Sequence, residues 1–242
     1  MNKTVLILGA SGGIGRACAD LFAAHGWSCA VHAYQHTNAL QNWAEAHPGC
    51  LLLQGDLTIP SIATQMISRC NYHLGRIDSL VYCAGIAESK PFTLLTDNDF
   101  QRMYDLHVIA PVRIIRAAFD DLVQQKGSIV LFSSMWGQVG ASCESHYAAA
   151  KGAVLALTKS LAKEFSPYEI RVNCVSPGLV DTPMNQMYSS DDLQQIIEHT
   201  PAGRIGTARE AASCALFLAS PDASFINGQI LSPNGEIGRA HV

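Results

Sequence analysis

The chain has 242 residues, 48% of them hydrophobic and only 15% charged, with a formal net charge of -4. That composition excludes an intrinsically disordered chain, which combines low hydrophobicity with high net charge, and the length suits one large domain. No basic run could neutralise a row of phosphates, so nucleic acid is not an expected partner and the expected ligand is small.

Short β-rich apolar runs alternate with longer helical patterns from end to end, the signature of a parallel sheet covered on both faces. Thr4 to Leu8 reads as the first strand. With Lys3 before it this run imitates a signal peptide, but it is shorter than the roughly 7 to 15 apolar residues such a peptide needs. Gly13 to Ala24 has the spacing of a helix, and strands are expected at Ser28 to Ala33, Cys50 to Leu53 and Ser79 to Tyr82, with a helix at Ile59 to His73. Thr96 or Asp97 caps one long helix running to about Gln124, and Gly127 breaks the chain before a fifth strand, Ser128 to Phe132. The stretch from Gly127 to Cys143 lacks charge but is interrupted by Ser, Gln and Gly, so no membrane span is expected. A helix over Ser145 to Phe165, a sixth strand at Ile170 to Val175, a helix at Ala208 to Ala219 and a last strand near Gln229 to Leu231 complete the pattern. The reading is a single α/β domain over residues 1–235, a Rossmann fold with a doubly wound seven-stranded parallel sheet and helices on both faces. An insertion at about 183–206, with a short helix at Asp191 to His199, is expected to act as a lid. Residues 236–242 read as a divergent or partly foreign tail.

The eight cysteines are scattered, with no Cys-x-x-Cys pair, so no zinc site or redox pair is expected. In a chain with a sizeable core they read as small buried hydrophobes, pointing to a reducing cytosol.

Gly9-Ala10-Ser11-Gly12-Gly13-Ile14-Gly15 follows the first strand and opens a helix. Glycines there permit positive φ and let backbone amides approach a pyrophosphate, whose charge the helix amino terminus also favours. Tyr147 and Lys151 are four apart and share one helix face. A phenol with a pKa near 10 is a poor acid at neutral pH, and a neighbouring ammonium is expected to favour the phenolate and bring it into range. Ser134 closes the fifth strand, at the carboxyl edge where parallel sheets form their ligand crevice, and its hydroxyl can bond a substrate carbonyl oxygen as charge develops there.

Together with Asp56, Cys83-Ala84-Gly85 and Pro177-Gly178, these motifs resemble the short-chain dehydrogenase/reductase family over nearly the whole chain, most closely its bacterial 3-oxoacyl-(acyl carrier protein) reductase branch. The segments Ser133 to Gly137 and Gly140 to Glu144 are similar to a subgroup described as reductases of the 5-aminopentanone group on elongation factor P. The resemblance implies that Ser134 and Tyr147 serve a ketone, that Lys151 binds the nicotinamide ribose, and that Val180 and Thr182 contact the carboxamide. Asp56, with Leu57 beside it, is implied to meet the adenine. Cys83 stands where the family usually has Asn, which puts an inter-strand hydrogen bond in doubt. The family's fourth relay residue, an Asn in the long helix, is His107 here. His107 lies on a helical stripe with Phe100, Met103, Ala110, Ile114 and Ala118, so it faces the core or the site. Pro111 lacks an amide hydrogen and is expected to free the His107 carbonyl, four residues earlier, to hold a water.

An NAD enzyme usually places an acid about twenty residues after the glycine loop, and none occurs between Asp20 and Glu45. That favours NADP(H) over NAD(H), with a 2′-phosphate near Tyr34, Gln35, His36 and Thr37, although no Lys or Arg lies between Arg16 and Arg69. Trp136 and Met184 are candidate substrate contacts, and His146 is given no role. The expected activity is reduction of a ketone, either a small molecule or one borne on a carrier protein docked on Arg102, Arg113 and Arg116. A 3-oxoacyl thioester is the leading substrate and the aminopentanone the second. The alternative of another class is a non-catalytic NAD(P)-binding regulator or scaffold. The resemblance also implies a homodimer or homotetramer.

Overall fold

Alternate residues of each central strand are apolar on both faces, which only a sheet covered on both sides can bury. The computed structural model describes residues 2–35 and 37–237, with nothing described for the side chains of Gln186 and Met187. Its main sheet contains β1 (Thr4–Leu8), β2 (Ser28–Ala33), β3 (Leu51–Gln54), β4 (Ser79–Tyr82), β5 (Ser128–Phe132), β6 (Arg171–Val175) and β9 (Ile230–Leu231). All seven are parallel, in the order β3-β2-β1-β4-β5-β6-β9. Two short strands, β7 (Val180–Asp181) and β8 (Gly206–Thr207), pair separately and close the base of the insertion.

The β1 side chains divide between two cores. Leu6 and Leu8 pack with residues of α3 (Pro60–Leu74), α5 (Ala110–Ala117), α6 (Phe119–Gln125) and α8 (Ser145–Phe165). Val5 and Ile7 pack with residues of α1 (Gly13–Ala24), α2 (Asn38–Ala46) and α10 (Ala208–Ala219). The strand order reverses between β1 and β4, so the crevice of a doubly wound sheet opens above Leu8 and Tyr82. Two further helices, α7 (Trp136–Val139) after β5 and α9 (Ser190–Glu198) in the insertion, flank that end.

The expected long helix is broken. Thr96 caps α4 (Asp97–Tyr104) with a capping box to Asp99, but residues Asp105–Ile109 form a π turn, and the chain bends again at Ala118 between α5 and α6. The Ala110 amide donates to the Asp105 carbonyl, five residues back, which adds one residue to the turn. This register corrects the reading of Pro111. Its missing donor corresponds to the carbonyl of Leu106 rather than that of His107, and the Tyr82 hydroxyl donates to Leu106 at 2.7 Å instead. The buried stripe survives the π turn, with Met103, His107, Ala110, Ile114 and Ala118 all inside. The third strand runs one residue later than expected, Leu51–Gln54 in place of Cys50 to Leu53.

Candidate active site

The glycine loop is held from three sides. Gly9, at φ +83, leaves β1 in the left-handed region that favours glycine, and a Cβ there would meet the Ala84 Cα at 2.5 Å. A Cβ on Gly13 would meet Thr182 Cγ2 at 2.6 Å, so the first turn of α1 lies directly against the loop after β7. Gly12 caps α1 without a side-chain bond, and no acid sits in its first turn, so the amides of that turn remain available to an anion. Ser11 is exposed at the tip, while Ile14 lines the cleft described below.

His32 is the third support, and the sequence reading passed over it. It is buried in β2, where its Nδ1 accepts from the Gly9 amide at 3.2 Å and its Nε2 lies 2.9 Å from the Gly55 carbonyl. One imidazole makes both bonds only as the neutral Nε2-H tautomer. Burial holds its pKa below the ordinary value, consistent with that form. A single polar residue inside an otherwise apolar parallel strand was the available signal.

At the carboxyl ends of β5 and β6 the reactive side chains come together. The Ser134 hydroxyl accepts from the Trp136 amide at 3.2 Å, and Ser134 and the Tyr147 phenol line the same cleft. Tyr147 and Lys151 project from α8, both buried. Lys151 Nζ donates to the Phe132 carbonyl at 2.9 Å and lies 5.6 Å from the centre of the Tyr147 ring, while Ser133 Oγ donates to the Lys151 carbonyl at 2.8 Å. Burial brings the Lys151 ammonium down to about 8. The expected lowering of the phenol by that ammonium does not appear: burial raises Tyr147, Ser134 opposes the rise, and Glu144 adds to it. Lys151 acts on its neighbours while tethered to Phe132, at ring distance from Tyr147.

His107 also reaches this centre. Its ring is 2% exposed and meets the Tyr147 ring edge-on at 5.5 Å. Nε2 lies 2.9 Å from the Ile86 carbonyl, whereas buried Nδ1 has no partner. Burial, reinforced by Lys151, holds it well below the usual histidine pKa and hence neutral. A Cβ on Gly85 would meet its Cε1 at 2.5 Å, so Gly85 provides the space for the imidazole.

The remaining expected positions divide. Ala84 underlies Gly9, and Cys83 packs against the core cluster that contains Cys18 of α1. Pro177 accepts from the Met135 amide at 3.0 Å, and Gly178 packs against Asn234. Asp56 is engaged in a turn: its Oδ1 accepts from both the amide and the hydroxyl of Thr58, at 2.9 and 2.7 Å. Leu57 is buried in the core beneath it, and Tyr34 stands half-exposed past β2. His36 lies outside the described residues. Ser134, Trp136, Glu144, Tyr147, Thr182 and Tyr188 line one cleft, which Met184 also borders. A cavity of about 600 Å³ beside Lys3, Arg76 and Arg171 lies at the opposite, amino-terminal edge of the strands and shares no residue with this cleft.

A glycine cradle at the switch point, facing a half-buried serine, a buried tyrosine and a buried lysine, is equipment for moving hydride and proton to or from an oxygenated carbon. The chain belongs to the short-chain dehydrogenase/reductase family, whose oxidoreductases use NAD(P)(H). A family model described as enoyl-(acyl carrier protein) reductase matches residues 9–235. An uncharacterized oxidoreductase of Bacillus subtilis, YmfI, is 40% identical over 97% of this chain and 98% of its own. The 3-oxoacyl-(acyl-carrier-protein) reductase FabG of Escherichia coli is 32% identical over 97% of this chain and 96% of its own. A Brucella melitensis structure, described as a short-chain dehydrogenase/reductase, glucose/ribitol dehydrogenase, superposes with a TM-score of 0.93 at 33% identity, covering 99% of this chain and 98% of that one.

Proposed function

We propose that this oxidoreductase is an NADPH-dependent carbonyl reductase that turns a ketone into a secondary alcohol. The carrying observation is the meeting of Ser134 and Tyr147 in one cleft with Lys151 buried behind them. The cradle at Gly9, Gly13 and Gly15 fits a pyrophosphate, Lys151 would hold the nicotinamide ribose, and Val180 and Thr182 the carboxamide. Asp56 and Leu57 would border the adenine, Asp56 through the carboxylate oxygen that Thr58 leaves free. When bound, the nicotinamide supplies hydride. Ser134 holds the carbonyl oxygen, Tyr147 releases its phenolic proton to that oxygen, and Ser134, which opposes the rise of the phenol's pKa, favours the phenolate left behind. Absence of an acid after β2 supports NADPH over NADH.

The named activity of the FabG relatives supports a 3-oxoacyl thioester as substrate. The basic docking surface expected for its carrier is thinner than the sequence suggested, since Arg102 pairs with Glu88 and Arg113 donates to the Thr58 carbonyl, leaving Arg116 exposed. One observation favours the second reading, the aminopentanone on elongation factor P: an acid, Glu144, lines the cleft. Among the described residues no helix is long and apolar enough to cross a membrane, and we place the enzyme in the cytoplasm. Partly exposed Phe217 on α10 and Leu231 on edge strand β9 support self-association into a dimer or tetramer, and residues 183–206 would serve as the lid.

The test is a panel of 3-oxoacyl thioesters and an amino-ketone peptide, each with NADH and NADPH. NADPH oxidation with at least one ketone, with a higher kcat/KM than for NADH, is expected. Cofactor binding without oxidation of any ketone, unaffected by Tyr147→Phe, would instead indicate a non-catalytic regulator.

A further inference from the structure

One carboxylate stands in the reactive cleft without a cation to meet it. Glu144 immediately precedes α8, and its carbonyl already accepts from the Ala148 amide at 2.8 Å, so it lies one helical turn from Tyr147. The side chain is 5% exposed. An acid at a helix amino terminus ordinarily accepts from first-turn amides, but Glu144 makes no such cap bond. Its Oε1 instead accepts from the Tyr188 hydroxyl at 2.9 Å, and Trp136 lines the cleft beside Tyr188. No Lys or Arg among the described residues forms an ion pair with it.

This placement has a cost. Burial raises the Glu144 carboxyl above its ordinary range, and only the Tyr188 hydrogen bond opposes that rise. The same charge raises the Tyr147 phenol, so it works against release of the catalytic proton. A buried, unpaired acid that opposes the chemistry is explained by a ligand that neutralises it.

We propose that Glu144 is a specificity-determining residue that reads a protonated amine on the ketone substrate. This rests on the carbonyl-reductase reading and narrows its substrate class to ketones carrying an ammonium a few bonds from the carbonyl. Such a substrate pairs with Glu144 and cancels its field at Tyr147; an uncharged acyl tail leaves the carboxylate unpaired. The groups facing Glu144 are Tyr188 from the insertion, Trp136 on α7 and Tyr147 on α8, and none of them supplies positive charge.

The test compares a dimethylaminoalkyl methyl ketone, whose tertiary ammonium cannot close to an imine, with the hydrocarbon ketone of the same shape. The full-length enzyme is expected to favour the ammonium ketone in kcat/KM by at least about tenfold, the scale of a charge-assisted bond. Glu144→Gln keeps an acceptor for Tyr188 but removes the charge, and brings the ratio toward one. Tyr188→Phe removes the contact from the insertion but keeps the charge, and retains the preference. Should Glu144→Gln fail to fold, the wild-type ratio itself falls at acid pH as the carboxylate takes up a proton. Equal use of both ketones, or a ratio indifferent to Glu144→Gln and to pH, overturns the inference while leaving the reductase reading intact. Failure to reduce these ketones and every 3-oxoacyl thioester overturns both.

Discussion

Gly85 and His107 fit each other: a Cβ at residue 85 would stand 2.5 Å from the His107 Cε1, so the glycine is the room the imidazole occupies. The pair shows how the imidazole fits edge-on against the Tyr147 ring.

Gly85→Ala is therefore expected to destabilise the fold by about 1–3 kcal/mol through overpacking. Adding His107→Asn restores part of that loss. Urea midpoints of the two single variants and the double variant measure the coupling, expected to exceed about 0.5 kcal/mol; strict additivity would mean the two side chains do not press on each other.

Acid destabilises the protein through two neutral histidines. His32 and His107 both have folded-state pKa values below their ordinary 6.5. Their unfolded forms bind protons first, so stability is fully present above about pH 6.5 and is lost as pH falls below it. Comparing urea midpoints at about pH 7.5 and about pH 5.5 should show this fall, and His32→Phe should flatten it. At neutral pH the same variant leaves the Gly9 amide and the Gly55 carbonyl without partners, costing about 1–3 kcal/mol.

Lys151 governs the alkaline side. With its ammonium brought down to about 8, kcat/KM for ketone reduction should decline as pH rises past that value. Lys151→Met is expected to cost at least about a hundredfold in kcat/KM. It should not lower the unfolding midpoint at neutral pH, because an apolar side chain replaces a buried charge. A variant that lost stability and activity in parallel would assign Lys151 to the fold alone.

The contact between Gly13 and Thr182 ties the glycine loop to the loop after β7, the two ends of the proposed cofactor crevice. Gly13→Ala drives a Cβ to 2.6 Å from Thr182 Cγ2, and fluorescence titration should show NADPH affinity reduced by at least about tenfold. Thr182→Ser removes that methyl and should recover part of the loss. Unchanged affinity in Gly13→Ala would separate this glycine from cofactor binding.

Much of this arrangement was readable from the chain. β1, β2, β4, β5 and α8 begin and end where their apolar runs do, and the Ser134, Tyr147 and Lys151 set was legible from strand-end placement and i,i+4 spacing taken together with the family resemblance. The π turn at Asp105–Ile109 was not, because one extra residue leaves a buried stripe that still reads as continuous α-helix. His32 was hidden by the apolar strand around it, and its partners Gly9 and Gly55 are each 23 residues away. Glu144 entered only as the end of the Gly140 to Glu144 segment, since Tyr188, 44 residues on, meets it only once the insertion folds back. The Tyr147 phenol reversed its expected direction because spacing shows that Lys151 is near but not how deeply both are buried.

The most direct test of the central claim follows the hydrogen itself, using NADPH deuterated at the transferable position of the nicotinamide ring and an activated ketone. The account predicts one deuterium on the carbinol carbon for each NADPH oxidised, and loss of at least about a hundredfold in rate for Tyr147→Phe. Oxidation of NADPH that leaves the alcohol unlabelled, or a Tyr147→Phe variant as fast as the parent, would contradict it.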